Sequence, residues 1–132
     1  MNFNNTFGFW QEFYTKHYQR PSLKEDIKFC QLLDKKDTIV SYMKNANILI
    51  RTRGSSTCPI DNTNIGTKEI YSDGKWFWTS EAIYYVEKYN ISIPQLFLEH
   101  IASKDFVCNK IADIAENDAL FEVLHDRIFE LL

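Results

Sequence analysis

Apolar positions in this chain recur at two spacings, and the switch between them separates helical ends from a short strand region. Phe9, Trp10, Phe13, Tyr14 and His17 follow helical spacing, which predicts an amphipathic helix over 7–19, closed by Pro21. Ser22-Leu23-Lys24-Glu25 reads as a capping box, in which the Ser oxygen accepts the N3 amide and the Glu reaches back. The helix after it is expected to bury Leu23, Ile27, Cys30 and Leu33. A short helix from Asp37 turns Ile39, Val40 and Met43 inward. Asn47 to Thr52 reads as a strand, and the polar run SSTCPIDNTNIG from Ser55 to Gly66 as the longest loop.

Thr67 to Trp78 carries the clearest hairpin pattern. Asp73-Gly74 suits a two-residue type I′ turn, which needs positive φ at both central positions. That turn would pair Ser72 with Lys75, Tyr71 with Trp76, Ile70 with Phe77 and Glu69 with Trp78. Alternation then places Glu69, Tyr71, Trp76 and Trp78 on one face and Ile70 with Phe77 on the other, so both faces call for cover. Thr79 or Ser80 caps the next helix, whose inner stripe is Ala82, Tyr85, Val86 and Tyr89. Pro94 fits the first turn of a further helix with Phe97, Leu98 and Ile101 inward. A short apolar helix near 105–115 follows. A last helix, capped by Asn117 or Asp118, carries the stripe Leu120, Leu124, Ile128 and Leu131. The expected fold is α+β in one domain over 1–132. Helices flank a small antiparallel sheet of about three strands, since a lone hairpin is marginal.

Composition narrows this further. Hydrophobic residues make up 45% of the chain and aromatic ones 15%, enough for a core without disulfides. Cys30, Cys58 and Cys108 form no C-x-x-C pair, and reduced thiols are expected. The N-terminal residues lack the charged-then-apolar pattern of a signal peptide, and no apolar run approaches the ~20 residues of a membrane helix. A cytoplasmic protein without membrane contact is the expectation. Residues 1–57 hold nine Lys/Arg against five Asp/Glu, a balance of +4; residues 58–132 hold six against thirteen, a balance of −7. The acidic half disfavours nucleic acid and suits a basic protein partner.

Catalytic and metal signatures are sparse. His17, His100 and His125 fall on separate elements, and Glu99-His100 and His125-Asp126 lack the i, i+3 or i, i+4 spacing of two ligands on one helical face. Cys58, before Pro59, reads as the most exposed thiol, but no nucleophile elbow or phosphate-cradling glycine loop surrounds it. No catalytic residue, metal or cofactor is assigned. Trp76, Phe77 and Trp78 could stack bases, yet Glu69, Asp73 and Glu81 surround the single Lys75; core packing of at least two of them is favoured.

The hairpin I-x-x-D-G-x-W-x-W (Ile70, Asp73, Gly74, Trp76, Trp78), the helix AIYYVEKYN and the segment IPQLFLEHI resemble the core pattern of small bacterial immunity proteins. Those proteins come from polymorphic-toxin and contact-dependent growth inhibition systems. The likeness spans Gly66 to Ile101, about a quarter of the chain. It implies a non-enzymatic inhibitor that binds one cognate toxin domain in the cytoplasm and occludes its active site or substrate groove. Many such toxins are nucleases with basic grooves, which the acidic half would suit. The likeness assigns no binding residue. Side-chain chemistry selects Asp61, Glu69, Asp73, Trp76, Trp78 and Glu81 as toxin-binding candidates. The alternatives are a small enzyme using a carboxylate, Cys58 or His100, and a nucleic-acid binder. The latter would use Lys16, Arg20, Lys24, Lys28, Lys35, Lys36, Arg51 and Arg53.

Overall fold

β-branched and aromatic residues between Asn47 and Thr79 build the centre of the molecule. In the computed structural model, which describes residues 5–14, 20–108, 122, 123, 126 and 127, they form most of a four-stranded sheet. In chain order the elements are β1 (Thr6–Phe7), α1 (Leu23–Asp26), α2 (Lys36–Lys44), β2 (Asn47–Thr57), β3 (Asn64–Ser72), β4 (Phe77–Thr79), α3 (Ser80–Tyr89) and α4 (Gln95–Ser103). The sheet order is β1-β4-β3-β2, with β1 parallel to β4 and the other pairs antiparallel. The fold is α+β as expected; the sheet is mixed and gains a fourth strand.

That fourth strand replaces the start of the helix expected over 7–19. Gly8 adopts φ +92°, outside the helical region, and its carbonyl accepts the Thr79 hydroxyl at 2.9 Å. A Cβ at Gly8 would lie 2.4 Å from Thr79 Oγ1 and 2.5 Å from the Ala82 side chain, so the close approach requires glycine. Residues 15–19, with His17, lie outside the described residues. The capping box also resolves differently. Ser22 makes no capping bond; the Glu12 carboxylate instead accepts the amides of Leu23 (2.9 Å) and Lys24 (2.8 Å) and the Ser22 hydroxyl (3.1 Å). The helix it caps is one turn long, and Cys30, expected inside, is exposed.

The β2–β3 hairpin extends through much of the expected 55–66 loop, because Ser55, Ser56 and Thr57 pair with Thr67, Gly66 and Asn64. The loop left over is closed by Cys58 N–H to Thr63 O (2.8 Å) and Asn62 N–H to Cys58 O (2.9 Å). β2 is one of the two edge strands, and its register slips between Ile48 and Ile50, between Arg51 and Ser55 and between Ser56 and Thr57. Such bulges, with exposed Arg51 and Arg53, blunt an edge against stray pairing.

The β3–β4 register differs from expectation by two residues. Ser72 pairs with Phe77, Tyr71 with Trp78 and Ile70 with Thr79. Only Gly74 of the turn has positive φ (+98°), and Asp73 Oδ1 accepts the amides of both Lys75 and Trp76, which widens the connection. A two-residue slip preserves which face each strand residue occupies. Tyr71 and Trp78 still share a face, and Ile70 and Phe77 are also buried, so both faces are covered.

The two later helices form where their local signals place them. Thr79 Oγ1 accepts the Ala82 amide at 3.1 Å, and left-handed Asn90 (φ 53°) ends α3. Ala82, Tyr85 and Val86 are buried, as are Phe97 and Ile101 of α4. Asp105 and Phe106 both take positive φ (54° and 60°), which stops the chain from continuing as the helix expected from 105. The rest of that helix beyond Cys108, and the stripe Leu120, Leu124, Ile128 and Leu131, lie outside the described residues. At the core, Phe97 sits 4.8 Å from the Trp76 ring and 5.1 Å from the Trp78 ring, and Trp78 also faces Tyr42 and Tyr71. Each such aromatic pair adds about 0.5–1.5 kcal/mol beyond area burial.

Candidate partner-binding residues

The six residues selected by sequence fall into two groups, interior and surface. Trp78 is fully buried, its indole N–H donating to Met43 O at 3.1 Å, and Trp76 is 5% exposed. Both belong to the core, as core packing of the aromatic triplet implied. Glu81 is also fully buried. Its carboxylate accepts hydroxyls from Ser56 (2.6 Å), Tyr14 (3.2 Å) and Ser80 (3.3 Å). That network ties the first turn of α3 to β2 and to the N-terminal segment. Burial, reinforced by the Glu81 charge, pushes the Tyr14 hydroxyl above its ordinary pKa, so it remains a donor. In this fold Trp76, Trp78 and Glu81 have no surface to offer a partner.

Asp73 lies at a junction of three elements. Oδ2 accepts the Tyr42 hydroxyl of α2 and His100 Nε2 of α4, each at 2.6 Å, while Oδ1 accepts the two turn amides. The side chains of His100 and Asp73 are 9% and 5% exposed. Burial alone would raise the Asp73 pKa; the Trp76 amide, the Tyr42 hydroxyl, the Lys75 amide and His100 outweigh it and hold the carboxyl below its ordinary value. Burial and the Asp73 contact push the Tyr42 hydroxyl the other way.

Asp61 and Glu69 remain at the surface, each already engaged. Asp61 Oδ2 accepts Lys88 Nζ (2.8 Å) and the hydroxyls of Tyr89 (2.5 Å) and Tyr84 (3.3 Å), and Oδ1 accepts the Thr63 amide (2.9 Å). This cluster pins the 58–63 loop onto α3. Lys88 leads the groups holding the Asp61 pKa well below the carboxylate range, and Asp61 leads those raising Lys88. Glu69 pairs with Arg51 at 2.7 Å and accepts the Tyr71 hydroxyl.

Comparison with protein-family models, curated protein sequences and solved structures finds no match.

Cys58, expected as the most exposed thiol, is fully buried and receives the Tyr85 hydroxyl at 3.0 Å, because the 58–63 loop folds it against α3. Among the described residues, no three His, Cys, Asp or Glu gather as a metal site, and no helix is long and apolar enough to cross a membrane. Grooves open between elements of the described residues. One of about 470 Å³ lies beside α2, lined by Asp37, Tyr42, Asn45, Phe106 and Cys108. Another of about 360 Å³ lies between the 33–39 segment and α4. A further one, about 310 Å³, is framed by Leu23, Ile27, Pro59 and Ile60. Neither Cys58 nor His100 lines any of them.

Sequence reasoning missed Tyr42, His100 and Glu12 as partners in these networks. Tyr42 and His100 carry no local mark, since each meets Asp73 only once α2 and α4 dock. Glu12 offers a weak signal as an acid upstream of a Pro-Ser helix start.

Proposed function

We propose that the chain is an immunity protein, which binds a cognate bacterial toxin domain in the cytoplasm and blocks its active site or substrate groove. One observation carries the reading: the charge asymmetry, with −7 over residues 58–132 against +4 over 1–57. An acidic surface speeds encounter with a basic groove and fixes its register, which a nuclease toxin would supply. The resemblance over Gly66–Ile101 supports the same reading as a likeness of core pattern, since Trp76 and Trp78 lie inside. Contacts with the toxin come from surface groups, with Asp61 and Glu69 retained from the sequence-selected six. The nucleic-acid alternative is less favoured because several basic residues it needs are engaged. Lys28 pairs with Glu25, Arg51 pairs with Glu69, and Arg20 is buried.

The test is co-expression with the product of the reading frame immediately upstream of this gene. Rescue of growth together with co-purification is the expected result. A neighbour that is harmless alone and does not co-purify removes immunity to that neighbour.

A further inference from the structure

Exposed apolar side chains in the described residues concentrate around α4. Phe29 (66% exposed) and Leu32 (88%) lie on the segment running beside residues 90–92, Leu96 (69%) on α4, and Val107 (57%) just after it. Between the 33–39 segment and α4 lies the groove of about 360 Å³, whose apolar lining is Leu33, Ile39, Leu98, Ala102 and Phe106. An apolar groove with a polar rim marks a binding site more often than scattered leucines do.

The rim indicates what would fill it. Asp34 and Glu99 line the groove from opposite elements, Asp37 lines the adjoining groove that shares Phe106, and Asp105 precedes Phe106. None of these four carboxylates enters an ion pair, whereas the other described surface carboxylates of the helices and sheet are largely engaged. The cation in the lining is Lys35, whose ammonium lies 4.4 Å over the Phe106 ring, while neighbouring Lys36 is bonded to the Glu87 carbonyl. Two carboxylates against one ammonium leave the groove's lining acidic. A side chain with an aliphatic stem and a cationic head suits this arrangement: the stem lies on Leu33, Leu98 and Ala102, and the head reaches Asp34 and Glu99.

We propose that this groove receives a basic, apolar segment of the partner protein, with lysine or arginine flanking an aliphatic residue. The proposal rests on the reading of the chain as a toxin binder, and it moves the contact face from the hairpin to the α2–α4 side.

The test uses the full chain, labelled with nitrogen-15, titrated with a synthetic lysine–leucine peptide and, as control, a glutamate–leucine peptide. The proposal expects saturable amide shifts at Leu33, Asp34, Leu98 and Glu99 with the first peptide and none with the second. The double variant Asp34→Asn/Glu99→Gln, which removes only exposed unpaired charges, should raise the midpoint by about tenfold. Saturable shifts elsewhere, no saturable shift, or an unchanged midpoint in the variant would overturn it. Contacts from residues 109–132 to Leu98 and Phe106 in the peptide-free chain would show the groove filled by this chain itself. Concentration-dependent shifts of the same amides would show a second copy there. Either result also overturns the proposal, and neither touches the co-expression test of immunity itself.

Discussion

Asp73 and Asp61 are both aspartates that accept four hydrogen bonds, yet they sit in opposite surroundings. Asp73 gathers a tyrosine, a histidine and two backbone amides in the interior, linking the β3–β4 turn to α2 and α4. Asp61 gathers two tyrosines, a lysine and one amide at the surface, holding a loop to α3. The number of bonds is the same; the cost of losing them is not. Donors released inside the protein stay dry and unsatisfied, whereas donors released at the surface return to water.

The largest effect is expected at Asp73. Asp73→Ala strands the Tyr42 hydroxyl, His100 and the Trp76 amide, and should lower unfolding free energy by about 3 kcal/mol in urea titration. A loss under about 1 kcal/mol would erase the contrast with Asp61. The same carboxylate gives the acid response. Its folded pKa lies below the unfolded value, so its contribution is fully present above the unfolded pKa of about 4 and drains away as pH falls through the folded one. Wild type should therefore lose stability below about pH 4 more steeply than Asp73→Asn, read from urea midpoints across that range.

Glu12 falls between the two, an exposed residue whose carboxylate caps a single turn from outside it through two backbone amides. Glu12→Ala should cost about 1 kcal/mol, the scale of a lost N-cap, and a neutral result would mean that water replaces the cap freely. The smallest effect belongs to Asp61→Asn. Its stability difference from wild type should shrink toward zero near about 1 M salt, where the Debye length is about 3 Å, while the Asp73→Ala difference persists. Equal salt sensitivity of the two variants would break the comparison.

The same contrast explains what the sequence made legible. α3 and α4 were readable because their caps and stripes are local: Thr79 sits three residues before the amide it accepts, and Ala82, Tyr85 and Val86 follow one helical face. The hairpin faces were readable too, since alternation survives a two-residue slip. The slip itself was not, because the Asp73 turn answers to Tyr42 and His100, distant in sequence. The N-terminal strand was hidden for a related reason: Gly8 leaves helical geometry to seat against Thr79 and Ala82. The candidate site was legible only as chemistry. Carboxylates and aromatics could be chosen, but which of them the core would claim depended on long-range packing. Trp76, Trp78 and Glu81 were claimed, and Asp34 and Glu99 were left outside.

The most direct test of the binding account is calorimetric titration of the purified chain with the product of the reading frame immediately upstream, proposed as its toxin, at about 50 mM and about 200 mM salt. The account predicts one-to-one binding that weakens as salt rises, unaffected in fold by Asp34→Asn/Glu99→Gln. Absence of heat at both salts, with the upstream product folded and toxic when expressed alone, would contradict it.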